Sequence, residues 1–273
     1  MKSNITYSVV MPILKRRKMV TEAINSIFEQ NGINNDSCEI ILVDDETNKT
    51  RIENNKGYYE NMGKNIRYFL NKNEEGPGGG RQTGMDLAKG KYLLFLDSDD
   101  RLTSNYLEKM NNVISDSNSV AVLCLSKSIF ENNFDFALKI KIGVLRFVRD
   151  LFLLISYILN DKKLYLGAFY LPQFSHMLFN YKFIKDIKFN YDYRRGGEDW
   201  DFFAKSLLRG NVSILPERLL LFRYSTGSST SNRLNLHKKW ESYRLLAKRL
   251  PKKFKSSFFY KLFKMYINSF SHL

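Results

Sequence analysis

KYLLFLDSDDRL, residues 91–102, decides how the chain is read. The apolar run 92–96 is short, continuous and bulky, the pattern of a strand covered on both faces of a sheet. It stops at Asp97-Ser98-Asp99-Asp100, where three carboxylates crowd together. Like charges at the mouth of a buried strand raise one another's pKa and oppose folding unless something positive neutralises them. Two carboxylates at i and i+2 just past a strand suit a hard divalent cation, Mg²⁺ or Mn²⁺, which prefers oxygen ligands and can bridge to phosphate. The plainer alternative is a solvated acidic turn.

Working outward, Tyr7–Ile13, residues 39–45 and Ile66–Leu70 also read as strands, the second ending in Asp44-Asp45. Helical patterns lie between them, the first over about residues 18–30. The turn-rich loop 74–81 leads into a helix predicted over 81–89. Repeated βα units argue for a parallel sheet with right-handed crossovers, whose ligands bind beyond the carboxyl ends of the strands. Asp44-Asp45, the glycine loop and Asp97 to Asp100 are therefore expected on one rim. GPGGGRQTG, residues 76–84, offers backbone N–H groups near a helix start, a setting for phosphate. Arg81 adds a forked donor for the same anion. The glycine spacing matches neither the Walker pattern nor the dinucleotide fingerprint.

Past Arg101 the alternation breaks. Thr103 or Ser104 is expected to cap a helix reaching about 116, and 120–125 reads as a strand. Residues 130–165 read as an irregular, apolar and basic segment. Gly196-Gly197-Glu198-Asp199-Trp200-Asp201 opens an amphipathic helix to about 208, 212–224 is a further strand region, and helical patterns return after 234. No internal repeat or long linker interrupts the chain, which favours one domain.

The 273 residues, 44% hydrophobic and 26% charged, are ordinary for a globular protein with a substantial core. Cys38 and Cys124 lack metal-type spacing and read as buried thiols in a reducing compartment. Residues 1–6 are polar, so no signal peptide is expected. The apolar run 151–159 falls far short of the ~20 residues that span a bilayer. These features predict a soluble or peripheral cytoplasmic protein. The net charge of +15 is uneven: residues 231–273 hold eleven Lys or Arg against Glu241 alone. Within that tail, 252–267 sets Phe254, Phe258, Phe259, Leu262, Phe263 and Tyr266 largely on one helical face. Such a helix can lie at an anionic membrane surface at the inner face of the cell, or it can pack as an ordinary helix with solvated lysines.

YSVVMPI, EIILVDD, GGGRQTGMDLAKGKYLLFLDSDD and GGEDWDF, in this order, resemble glycosyltransferase family 2, the inverting enzymes of the GT-A fold, over residues 7–230. The resemblance implies an α/β fold with a mixed central sheet. In it a Rossmann-like nucleotide-sugar-binding half, 1–100, is fused to an acceptor and catalytic half, 101–230, with a basic helical extension over 231–273. By the same resemblance, Pro12 and Ile13 line the base pocket, Asp44 accepts a hydrogen bond from uracil with Asp45 beside it, and Gly80 and Arg81 contact the nucleotide end of the donor. Asp97 and Ser98 lie near the ribose, and Asp99 with Asp97 holds Mn²⁺ or Mg²⁺. Asp199 is the general base and Glu198 supports the acceptor side. The implied donor is UDP-linked and the acceptor a glycan or lipid-linked hydroxyl of a bacterial surface polysaccharide, with no nucleic-acid partner.

The chain departs from the family's usual pattern at Leu14 and Lys15, where an aromatic and Asn are common, at Gln82 after the loop arginine, and at Ser225, where a His often completes the metal site. His176 and His237 are the candidate replacements. Two other function classes compete. A phosphohydrolase with a D-x-D nucleophile expects a Thr soon after the second Asp and a motif near the N-terminus, whereas here Asp100-Arg101-Leu102 follows. A nucleic-acid-binding protein would use the +15 charge, but leaves the acidic rim unexplained.

Overall fold

A computed structural model describes residues 5–131, 135–159, 174–193 and 197–224. The first half follows the predicted alternation: β1 (Tyr7–Ile13), α1 (Arg17–Phe28), β2 (Cys38–Asp44), α2 (Lys49–Glu60), β3 (Ile66–Leu70), α3 (Pro77–Leu87) and β4 (Tyr92–Phe95). Then come β5 (Arg101–Leu102), α4 (Tyr106–Ser117), β6 (Ala121–Phe130), α5 (Phe136–Ile158), β7 (Met177–Asn180), α6 (Glu198–Leu207) and β8 (Val212–Tyr224). The strands form one eight-stranded sheet in the order β3-β2-β1-β4-β7-β6-β8-β5.

β1, β2, β3 and β4 run parallel, with Tyr7 paired to Cys38 on one side and to Tyr92 on the other. The near-continuous apolar runs of β1, β2 and β4 follow from burial on both faces, whereas β3 lies at the sheet edge and is only partly buried. Val9, Met11, Ile40, Leu42 and Leu94 pack against α1, Tyr59 of α2 and α4, while Val10, Ile41, Val43, Leu93 and Phe95 face α3 and α6. The parallel expectation holds only this far. β7 runs antiparallel between β4 and β6, which makes the sheet mixed, and β6 pairs parallel with β8 through register shifts around Leu125.

Three boundaries differ from expectation. The glycine segment is not a loop ahead of a helix at 81 but the first turns of α3 itself, opened by Gly76 at φ 110° and by Pro77. Proline suits a first turn, whose N–H groups have no intrahelical partner. Small residues are needed here because α3 lies almost on β1. A Cβ at Gly84 would stand 2.2 Å from Cγ1 of Val10, and one at Gly80 3.1 Å from Cβ of Pro12. Second, Asn105 rather than Thr103 or Ser104 precedes α4, with no side-chain cap. Third, the segment read as irregular contains a 23-residue helix, α5. Its apolar residues occupy so much of the circumference that the helical period is hard to see in sequence.

Residues 252–267 and the rest of the basic tail, with Gly196, Ser225 and His237, lie outside the described residues.

Candidate active site

The parallel pairing places the carboxyl ends of β1, β2 and β4 on one rim. Leu96 N–H donates to the Val10 carbonyl at 2.9 Å, which sets the turn of Asp97 to Asp100 beside Pro12 and Ile13. Asp100 N–H closes the turn on the Asp97 carbonyl at 3.0 Å. Asp97 N–H donates to Ser175 Oγ at 3.0 Å, and Arg223 clamps the far side, its Nε donating to the Asp99 carbonyl at 3.0 Å and its N–H to Asp100 Oδ1 at 3.2 Å. Arg223 is itself held by Glu22 of α1.

Arg81 is the centre of the site. Its side chain, 7% exposed, reaches Asp97 Oδ1 at 2.7 Å and Glu198 Oε1 at 3.2 Å, two carboxylates from distant parts of the chain. The guanidinium lies 5.0 Å from the Phe174 ring centroid. Phe174, Phe95, Phe189 and Phe202 pack edge to face and stacked, with Phe189 to Phe202 at 4.5 Å, and so fix the start of α6 against the D-x-D turn. Gly197 at φ 112° turns the chain into α6, where a residue with Cβ would be strained. Glu198 and Asp199 then stand at the helix N-terminus, and Asp199 Oδ1 accepts from Trp200 N–H at 2.9 Å.

Charge balance differs across the site. Burial works against the Arg81 guanidinium, but Asp97, Glu198 and Asp199 outweigh it and hold it charged. Burial, then Asp199, pushes the Glu198 carboxyl up to about 7 against the pull of Arg81. Burial raises Asp199 as well, again opposed by Arg81. On the turn, burial and Asp97 raise Asp99, while Arg16 and Arg223 draw it down. Asp100, fully enclosed, is raised well above an ordinary carboxyl by burial and by Asp97 and Asp99.

The rim's other expected residues divide. Asp45 faces α3, its Oδ2 accepting from Gly76 N–H at 3.0 Å and its Oδ1 from Asn71 at 2.7 Å. The first amide of the glycine segment is therefore already given to a carboxylate. Asp44 is 1% exposed and points the other way. Its oxygens accept from Tyr68 Oη at 2.6 Å, Asn55 Nδ2 at 3.0 Å and Glu46 N–H at 3.0 Å, so it braces β2 rather than presenting an edge to a base. His176 is buried, with Nε2 2.7 Å from Ser126 Oγ. Ser98 sits half-buried within the acidic turn.

Sequence reasoning missed Arg16, Ser175 and Arg223. Lys15 and Arg16 both take left-handed backbone, φ 58° and 56°, a conformation that costs a residue with Cβ on the order of 1 kcal/mol. It brings Arg16 Nη1 to 3.4 Å from Asp99 Oδ2. The signal that could have found Arg16 is the basic run 15–18 immediately after β1. Arg16, Arg17, Lys18, Glu22 and Arg223 line a cavity of about 380 Å³ beside Asp99. A second cavity of about 470 Å³, lined by Lys15, Arg17, Glu46, Arg51, Asn54 and Asn55, adjoins the ends of β1 and β2.

The sequence profile described as glycosyl transferase family 2 matches residues 8–186. The chain belongs to that family. Among family relatives, it is 36% identical over 107 residues to a GalNAc(5)-diNAcBac-PP-undecaprenol β-1,3-glucosyltransferase of Campylobacter jejuni, covering 38% of this chain and 32% of that one. The chain thus spans about a third of the length of curated relatives it matches in this region. Staphylococcus aureus TarS 1–349 in complex with UDP-GlcNAc superposes with a TM-score of 0.64 at 21% identity, over 89% of this chain and 66% of that one. A mannosyltransferase from Pyrobaculum calidifontis, in complex with GDP-Man and Mn²⁺, does so with 0.64 at 15% identity, over 91% and 66%. Both share the GT-A fold expected from the sequence. A family 2 site that uses a metal would find suitable donors here, since Asp97 and Asp99 offer hard oxygen ligands. Among the described residues no group of three His, Cys, Asp or Glu could hold an ion by itself.

Proposed function

We propose that this chain is an inverting glycosyltransferase that moves a sugar from a UDP-linked donor to a hydroxyl of a glycan or lipid-linked acceptor, in the making of a bacterial surface polysaccharide. The observation that carries the reading is the Arg81 bridge. It joins the D-x-D turn to Glu198, 117 residues further along the chain than Arg81, and so sets a donor-type and an acceptor-type carboxylate on either side of one cation.

Asp199 is the base of this reaction. It takes the proton of the acceptor hydroxyl while the new C–O bond forms at the anomeric carbon and the bond to the nucleoside diphosphate breaks on the opposite face. Burial raises its pKa, which brings a carboxylate closer to the operating pH, where a general base is most effective. Glu198, tied to Arg81, keeps the α6 terminus against the cleft and lines the acceptor side. Asp99, assisted by Asp97, would hold a Mn²⁺ or Mg²⁺ ion, which would supply positive charge to stabilise the leaving diphosphate. Pro12, Ile13, Asp45, Gly80, Arg81 and Ser98 shape the donor seat. Arg16 and Arg223 flank Asp99 and add positive charge beside the phosphates. Residues 252–267 give the basic tail a contact with an anionic membrane surface.

The test is release of UDP or GDP from a panel of nucleotide sugars with Mn²⁺ present. Release from at least one UDP-sugar is expected. It should fall by roughly 10²–10⁴-fold in Asp199→Asn, the range general-base catalysis supplies, while UDP binding is unchanged. Turnover that survives Asp199→Asn would overturn the assignment of the base. GDP-sugar preference would overturn the donor.

A further inference from the structure

α5 exposes an apolar line along its whole length. Phe136, Ile140, Val144, Phe147, Leu151, Ile155 and Ile158 recur at three- and four-residue spacing, so they lie on one stripe of the helix. Their exposure runs from 36% at Ile155 to 77% at Ile158. A helix of 23 residues is about 34 Å long at 1.5 Å per residue. An unbroken stripe of that length is unlike the single exposed apolar residues that dot any surface.

The stripe faces outward because other residues anchor the helix. Arg146, Asp150 and Leu153 are buried. Arg146 Nη2 donates to Ser126 Oγ at 2.6 Å, and its guanidinium lies 4.9 Å from the Phe222 ring centroid. Asp150 Oδ2 forms an ion pair with Arg218 Nη2 at 3.1 Å. The helix is thus fixed to β6 and β8 by one face while a neighbouring face carries Phe, Ile, Val and Leu.

We infer that α5 is a membrane-docking helix whose stripe seats on an anionic lipid surface, lying in the plane of the interface. Charge selects this occupant. Beyond the inward-turned Arg146 and Asp150, which offset one another in charge, α5 carries Lys139, Lys141 and Arg149 and no further acid. A second copy would set one cationic helix against another. The segment 231–273, with eleven cations and Glu241, would meet the same repulsion. An anionic bilayer attracts both the helix and that segment and receives the apolar side chains at the headgroup boundary. No described helix is long and apolar enough to cross a membrane, so the contact is interfacial.

The position fits a lipid-carried acceptor. α5 follows β6, whose Phe130 stacks on Tyr224 at 5.1 Å, and Glu131 lines the cavity shared by Arg16 and Arg223 beside Asp99. The start of the helix is therefore near the rim that holds the acidic turn. Docking itself does not rest on the transferase reading.

The experiment is flotation of the full chain with phosphatidylglycerol–phosphatidylcholine vesicles and with phosphatidylcholine vesicles alone. The proteins compared are wild type, Phe147→Glu/Leu151→Glu on the stripe, and Lys252→Glu/Lys253→Glu in the tail. Circular dichroism and UDP binding check that each is folded. Wild type is expected to float with the anionic vesicles, the stripe variant to bind them at least roughly tenfold more weakly because affinity follows inserted apolar area, and the tail variant to keep a stripe-dependent share. Equal flotation of wild type and stripe variant would overturn the proposal and leave docking to the tail. So would the absence of flotation by folded wild type, and a wild-type dimer split by the stripe substitutions would then assign the face to a second copy.

Discussion

The two acidic clusters on either side of Arg81 contain the same kind of group, both partly buried, in different charge surroundings. Asp97 and Asp99 meet arginines from three separate elements, Arg16, Arg81 and Arg223, and keep partial access to solvent. Glu198 and Asp199 have Arg81 as their counter-charge, and its pull on both falls short of the cost of burial, so their carboxyls rise, as that of Asp99 does. The two clusters are thereby fitted to different chemistry. The pair flanked by three arginines can exchange a side-chain cation for another cation, and the pair at the start of α6 can exchange a proton.

Removing the shared arginine is the harshest way to break that contrast. Arg81→Met leaves Glu198 and Asp97 without their nearest charge and is expected to lower unfolding stability by about 3–5 kcal/mol, the usual effect of orphaning a buried ion-pair partner, as read by urea denaturation at neutral pH. An unchanged midpoint would show that the two clusters do not depend on one cation.

A gentler change sharpens it. The folded-state pKa of Glu198 is raised, from an ordinary 4.5 to about 7. Stability from that carboxyl is therefore fully present below pH 4.5 and is lost as pH rises through about 7. Glu198→Gln, which imitates the protonated form, is expected to stabilise the fold by about 1–3 kcal/mol at pH 8 and by nothing measurable at pH 4. Destabilisation at pH 8 would mean that the Arg81 ion pair outweighs desolvation.

The smallest effect concerns the arginine-flanked cluster. Arg16 is held at Asp99 by strained backbone, so Arg16→Gln should strengthen Mn²⁺ binding to the nucleotide-free protein by a few-fold and weaken UDP binding by a few-fold, shifts of under about 1–1.5 kcal/mol each. Titration calorimetry reads both. Changes of the same sign in the two titrations would rule out a competition between Arg16 and the ion.

The halves of the molecule also differ in how much could be read from sequence. β1, β2 and β4 were legible because strands buried on both faces leave short, continuous apolar runs. The rim acids were legible because charge is conspicuous beside such runs. The orientation of Asp44 was not, since one position along β2 separates a residue that faces the cleft from one that faces α2, and only register decides between them. The start of α3 was misplaced because Gly78, Gly79 and Gly80 read as loop, whereas they lie in the helix, where Gly80 closes on Pro12 and Gly84 on Val10. α5 escaped because its apolar residues serve two surroundings at once. Arg16 and Arg223 act through tertiary proximity, which no local pattern reports.

If Asp99 holds a cation and that cation holds a nucleoside diphosphate, UDP binding must depend on both the ion and the carboxylate. Titration of UDP into the protein with and without Mn²⁺, for wild type and Asp99→Ala, tests this directly. Mn²⁺-dependent UDP binding that disappears in Asp99→Ala is the expected result; UDP binding of equal strength in both proteins, or none by folded wild type with Mn²⁺ present, would contradict it.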